Sequence, residues 1–168
     1  GGTSIGSVDV DRYDGTTYKR TDSQYSLKVG ITGAGSANSY FRIAQVLVDA
    51  YGLRGRTIAL SVYVYTATSG RVKIGISDGV GTTYSSAHGG SGWEKLTVTR
   101  TIDNSATSIT IYAYSVDDLS TPTFETYIDN AMLVIHTSAI DYLPSDKIVA
   151  YGQVYRNQAT GAIPLDAT

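Results

Sequence analysis

The sequence predicts an all-β fold, two antiparallel sheets packed as a sandwich, and three observations carry that prediction. Apolar residues alternate with polar or aromatic ones over several short segments, as side chains do on the two faces of a strand. These segments recur at intervals of roughly 10–20 residues, separated by turns rich in Gly, Ser, Asn and Asp, with no convincing amphipathic helix between them. Tyrosine is abundant, 14 residues against two Phe, and in the clearest strands it occupies the phase opposite the aliphatic row.

Taken in order, residues 1–24 read as polar and turn-rich, with Asp9, Asp11 and Asp14 clustered there. The first clear strand is YSLKVGIT (25–32), with Tyr25, Leu27, Val29 and Ile31 on one face. A Gly/Ala/Ser/Asn loop follows at 33–39. SYFRIAQVLVDAYG (39–52) crowds both phases with apolar residues, and its Val, Ile, Phe and Tyr favour a strand over a helix. TIALSVYVYT (57–66) sets Ile58, Leu60, Val62 and Val64 against Tyr63 and Tyr65. Thr68-Ser69-Gly70 then leads into RVKIGIS (71–77), and the two segments read as a hairpin. A Gly/Ser loop spans 78–92, Trp93 opens the strand 94–102, and Trp93 is expected to anchor that loop on the core. In 107–114, Ile109, Ile111 and Ala113 oppose Tyr112 and Tyr114. A polar loop at 115–124 precedes YIDNAMLVI (127–135). The expected division is a sandwich domain over 1–136 and a C-terminal extension over 137–168. That extension holds one further strand, KIVAYGQVYR (147–156), and reads as an edge strand, a linker or an arm for a neighbouring subunit.

Composition narrows the function classes. With 168 residues and 42% hydrophobic content the chain can fill a core, and disorder is not expected. Charged residues make up 17% and the net charge is −2, so neither nucleic acid nor an anionic membrane is an expected partner. The absence of cysteine excludes disulfides, thiolate metal sites and a thiol nucleophile. No run approaches the roughly 20 apolar residues of a membrane helix. No secretory signal opens the chain, and Gly1-Gly2-Thr3-Ser4 reads as a trimmed or a processed end.

Catalytic signals are weak. His88 and His136 belong to no ligand pattern, and His88 reads as a loop residue shaping a turn. The Gly-rich run at 89–92 leads into no helix, which removes a phosphate-cradling reading. Glu94, Glu125 and the aspartates supply carboxylates without singling out the pair a glycosidase needs, so no catalytic residue is expected. The run from Asp9 to Gly15 departs from EF-hand spacing, with Tyr13 at the third ligand position. For binding, Tyr63, Tyr65, Tyr112 and Tyr114 form an expected platform on which sugar rings stack, with Arg71, Lys73 and Gln45 adding polar contacts. The alternative is that the same tyrosines pack against the C-terminal extension or a second subunit.

Several stretches together resemble the jelly-roll carbohydrate-binding-module type found beside glycoside hydrolases and in phage tail and virion proteins. They are YSLKV (25–29), LRGRTIALSVYV (53–64), the loop and strand DGVGTTYSSAHGGSGWEKLTVTRTI (78–102), and YIDNAMLVI (127–135). The third resembles virion-associated members most closely: a glycine-rich loop with a histidine, then Gly-Trp-Glu, then a Thr/Val strand. The resemblance implies a jelly roll that binds sugar on a concave sheet or at loop tips. It also implies a structural Ca²⁺ held by Asp129 with N-terminal oxygens, for which Asp9, Asp11 and Asp14 are the candidates. The expected function is a non-catalytic glycan-attachment module, virion-borne or extracellular and homo-oligomeric. The alternative is a capsid-decorating or filament-forming subunit assembled through its C-terminal arm.

Overall fold

The computed structural model describes residues 7–32, 42–47, 50–115 and 123–141. They form nine strands: β1 (Ser7–Tyr13), β2 (Ser26–Thr32), β3 (Arg42–Leu47), β4 (Thr57–Thr66), β5 (Val72–Ser77), β6 (Thr82–Tyr84), β7 (Trp93–Thr101), β8 (Ile109–Ser115) and β9 (Thr123–Val134). The one helical element among them is a 3-10 turn, Tyr51–Leu53. The strands make a five-stranded sheet, ordered β1-β2-β9-β4-β7, and a four-stranded sheet, ordered β3-β8-β5-β6. All pairings are antiparallel. The all-β sandwich expected from the alternation is the observed fold.

The core is the aliphatic row of each strand. Ile58, Leu60, Val62 and Val64 of β4 meet Val72, Ile74 and Ile76 of β5 and Ile109 of β8, with Leu96 and Val98 of β7 completing the layer. Each of these chains is almost wholly removed from water, which stabilises the sandwich by roughly 1.5–3 kcal/mol per large aliphatic side chain.

Two features differ from the sequence-based expectation. Segments 57–66 and 71–77 do not form a hairpin: β4 lies in one sheet and β5 in the other, so the turn between them crosses the sandwich. The loop carrying His88 fills the space a hairpin would have closed. Gly70 donates its N–H to the His88 carbonyl (2.8 Å), and His88 donates its own to that of Val72 (2.9 Å). The polar segment before residue 25 also contains a strand. In β1, Asp9 and Asp11 alternate with Val10, which is itself 48% exposed, as suits an edge strand with little burial on either face.

A buried charge fixes the far end. Asp78, fully buried after β5, accepts hydrogen bonds from Arg100 (2.8 Å) and from the N–H groups of Val80, Gly81 and Asp103. Burial alone would raise this carboxyl. Arg100 and the three N–H donors outweigh it and hold Asp78 well below the usual carboxylate range.

The expected strand 147–156 and most of the extension lie outside the described residues. Its first residues, through Asp141, cross the outer face of the five-stranded sheet. There Ser61 Oγ donates to the Ile140 carbonyl (2.8 Å), and Asp141 pairs with Lys95 at 2.7 Å.

Candidate functional site: two outward faces

Each sheet has an outward face, and the strand register decides which side chains occupy it. The expected four-tyrosine platform is not assembled, because β4 and β8 belong to opposite sheets. Tyr63 and Tyr65 point away from the core on one side of the sandwich, and Tyr112 on the other. Alternation gave the correct phase for β4 and β8, but phase does not say which sheet a strand joins.

On the five-stranded sheet, register aligns Asp11, Lys28, Tyr127, Tyr65 and Trp93 in one row. Residues 14–25 fold back over this row. Tyr18 stacks on Tyr127 with ring centroids 4.3 Å apart, Tyr13 meets Tyr127 edge-on at 5.1 Å, and Tyr65 meets Trp93 edge-on at 5.8 Å. Tyr127 is left 3% exposed. Burial, then its hydrogen bond to Glu125 (2.9 Å), pushes its phenol pKa far up, while the hydrogen bond from Lys28 holds the Glu125 carboxyl low. Tyr63 is covered by the Arg20 guanidinium, 4.0 Å from the ring centre. Trp93 therefore packs with the aromatic layer outside the sheet, not on the inner core.

A bulge in β9 anchors the covering segment. The register against β4 shifts between Ser61 and Tyr63, and Asn130 takes a left-handed backbone (φ 49°) that Asn tolerates better than most residues. This aims Asp129 and Asn130 at residues 14–25. The Asp129 carboxylate accepts from the N–H of Arg20 (3.0 Å) and of Asn130 (2.7 Å), and the Asn130 amide donates to Asp22 (2.9 Å).

These bonds bear on the expected calcium. Among the described residues no group of three or more His, Asp or Glu side chains is gathered to hold a metal. Asp9 and Asp11 stand on edge strand β1, opposite Gly30 and Lys28, and Asp14 is exposed. The four carboxylates named from the sequence do not converge, and both oxygens of Asp129 already accept backbone protons. The set does not fit the ion as expected.

The four-stranded sheet is different. Its outward row runs Ala44, Tyr112, Gly75, Tyr84 across all four strands, flanked by Val46, Thr110, Ser77 and Thr82 on one side and by Arg42 and Lys73 on the other. Tyr84 is 44% and Val46 56% exposed. Gly75 is a requirement here: a Cβ at that position would lie 2.7 Å from the Tyr84 ring, so only glycine lets the ring settle against the sheet. Arg42 lies 5.1 Å from the Tyr112 ring centre. Tyr114 extends the same face by register, and its side chain lies outside the described residues. The two strands carrying Tyr112 and Tyr84 are separated by β5, hence by about 10 Å.

The remaining expected contacts divide. Lys73 shares the face with Tyr112. Arg71 is buried rather than presented to a ligand. Gln45 pairs with Ile111 on the inward side of β3 and lines an apolar cavity of about 250 Å³ between the sheets, with Leu27, Ile43, Leu60 and Val62. Tyr84 was missed in the sequence because its strand is three residues long and lies inside a Gly/Ser-rich loop. Gly75, breaking an otherwise β-branched run, was the available signal.

His88 is buried and immobilised. Its Nε2 is 3.0 Å from the Val64 carbonyl, which requires a proton on Nε2, and its Nδ1 accepts the Gly90 N–H at 2.8 Å. It shapes the turn at Gly90, as its sequence context suggested, and it also pins the loop to the core, the role expected of Trp93.

Comparison with known proteins gives the same class. No family model matches the chain, and no curated protein matches it by sequence. Among solved structures, TmCBM61 in complex with β-1,4-galactotriose superposes with a TM-score of 0.55 at 13% identity, covering 77% of this chain and 88% of that one. The C-terminal family 22 carbohydrate binding module of Clostridium thermocellum Xyn10B gives 0.51 at 22% identity, covering 81% and 87%. The enzymatically active domain of bacteriophage CBA120 tailspike protein 4 gives 0.56 at 13% identity; the match covers 81% of this chain but only 18% of the tailspike. The chain has a carbohydrate-binding-module-like jelly-roll fold. Among the described residues no helix is long and apolar enough to cross a membrane.

Proposed function

We propose that this chain is a non-catalytic glycan-binding module that engages its ligand on the outer face of the four-stranded sheet. The observation carrying this reading is the contrast in cover among the described residues: the aromatic row of the five-stranded sheet is packed under its own chain, while on the four-stranded sheet Tyr84 and Val46 stay about half exposed and Tyr112 meets the Arg42 guanidinium. A tyrosine offers a flat apolar body to a sugar ring and a hydroxyl to its neighbours. Thr110, Ser77 and Thr82 supply further hydroxyls beside the rings. Among the described strands no carboxylate pair of the kind that glycoside cleavage needs stands on this face. The fold likeness to carbohydrate-binding modules supports the same reading, and the tailspike match supports a setting in a virion or other extracellular surface.

A glycan array probed with the wild-type chain and with Tyr112→Ala tests the proposal. Binding by the first and its loss in a folded variant are expected. Equal binding by both would remove the face from consideration. The tailspike match also favours a second reading, a homo-oligomeric assembly subunit. Solution mass separates the two: a stable oligomer that falls to monomer on deletion of 144–168, without glycan binding, identifies the subunit.

A further inference from the structure

Among the described residues, the outward face of the four-stranded sheet is charged in one sense only, although the chain as a whole has a net charge of −2. Register places Arg42, Ala44 and Val46 of β3, Thr110 and Tyr112 of β8, Lys73, Gly75 and Ser77 of β5, and Thr82 and Tyr84 of β6 on it. Two of these residues are cationic and none is acidic. The acids collect on the opposite face, where Asp9, Asp11, Glu125, Asp129 and Asp141 stand with Lys28, Lys95 and Arg20. Arg42 and Lys73 occupy the same register level, one on each side of the Tyr114 backbone, and so lie about 10 Å apart. Lys73 has no carboxylate partner among the described residues, and Arg42 already lies over the Tyr112 ring. Arg42 already takes one side of that ring, so a sugar set beside Tyr112 and Tyr84 would turn one edge toward Lys73 and the other toward Thr110 and Ser77. Charge-assisted hydrogen bonds to carboxylate or sulfate are about twice as strong as neutral ones, so this edge discriminates between charged and uncharged rings.

We infer that the four-stranded face selects anionic glycans, chains whose sugars carry carboxylate or sulfate groups. The inference rests on the proposed glycan-binding role of the same face. It differs from the sequence-based expectation, in which Lys73 was one polar contact among several.

Titration calorimetry on the full chain tests it with three oligosaccharides of matched length: oligogalacturonate, neutral β-1,4-galactan and sulfated galactan. The expected result is at least about tenfold tighter binding of one anionic ligand than of the neutral one, with the preference shrinking as salt rises. Which anionic arm responds distinguishes carboxylate from sulfate. Lys73→Gln should bring the anionic affinity down toward the neutral value, and Lys73→Glu should abolish it, while circular dichroism shows an unchanged fold. Neutral galactan bound as tightly as the anionic chains, or an anionic preference indifferent to Lys73→Glu, overturns the inference and leaves the glycan-binding reading standing. Absence of binding by all three, together with an empty glycan array, overturns both.

Discussion

The two outward faces of this sandwich carry similar residues and have opposite fates. Each presents tyrosines on the phase opposite the core. On the five-stranded sheet, residues 14–25 and the start of the C-terminal extension lie over them. Tyr18 stacks on Tyr127, Arg20 covers Tyr63, and Ile140 receives the Ser61 hydroxyl. On the four-stranded sheet, Tyr84 stays 44% exposed and settles over a glycine. An outward aromatic row is thus a structural layer where the chain returns over it; on the proposed reading, the face that keeps its exposure serves recognition.

The comparison can be broken most forcefully on the covered side. Tyr127→Ala should cost about 3–4 kcal/mol, because it removes a buried ring with several aromatic neighbours and leaves a cavity. Chemical denaturation reads this directly, and glycan affinity measured where the variant is folded should not change. A loss below about 1 kcal/mol would mean that the aromatic layer is not structural.

Next in size is the buried ion pair that ties the β5–β6 turn to β7. Asp78→Asn should cost about 2–3 kcal/mol by leaving Arg100 without its charge partner. The pH sign follows from linkage. Asp78 is held below its unfolded pKa, so its contribution is complete above about pH 4 and fades as pH falls through the lower folded value. Wild type and variant should therefore differ most near neutrality and converge in acid. A constant difference would assign the loss to packing.

Smaller again is Gly75→Ala on the open side. The added methyl forces the Tyr84 ring off the sheet. Stability should fall by about 1 kcal/mol, since the Tyr84 ring must move and the Thr83 carbonyl, 3.3 Å from the added carbon, must give slightly, while glycan binding should weaken several-fold. The smallest effect concerns the ion. Since Asp129 holds backbone N–H groups rather than a shared cation, EDTA should leave the thermal transition where it is. A fall in melting temperature restored by Ca²⁺ would show that a cation is bound after all.

Much of the fold was legible in the sequence, and the limits have physical causes. The inward rows of β4, β5, β7 and β8 follow from period-two alternation, since a buried face imposes that period on any strand. Strand β1 was hidden because Val10 stands between Asp9 and Asp11, and an edge strand lacks the apolar row a central strand shows. Strand β6 is too short to establish a period. Sheet membership is the deeper limit. Ile58–Val64 and Val72–Ile76 face each other across the core, and their patterns are those of hairpin partners just as much. Placing Tyr63 and Tyr65 on one surface with Tyr112 followed from that ambiguity, whereas Gln45 was set among the outward contacts because apolar residues crowd both phases of its segment. Of the expected ligand contacts, Tyr112 and Lys73 share the open face. Asp9, Asp11 and Asp14 were joined to Asp129 by the resemblance, but strand β2, with Lys28 and Gly30, lies between β1 and β9.

The central claim is that the two aromatic faces differ in function, and paired variants on one glycan array test it most directly. The account predicts that Tyr84→Ala/Tyr112→Ala loses binding by more than about tenfold with little change in stability, each ring contributing about 1 kcal/mol of contact. Tyr63→Ala/Tyr65→Ala should keep the binding and lose stability. The reverse pattern, binding lost with Tyr63 and Tyr65 and kept without Tyr84 and Tyr112, would contradict it.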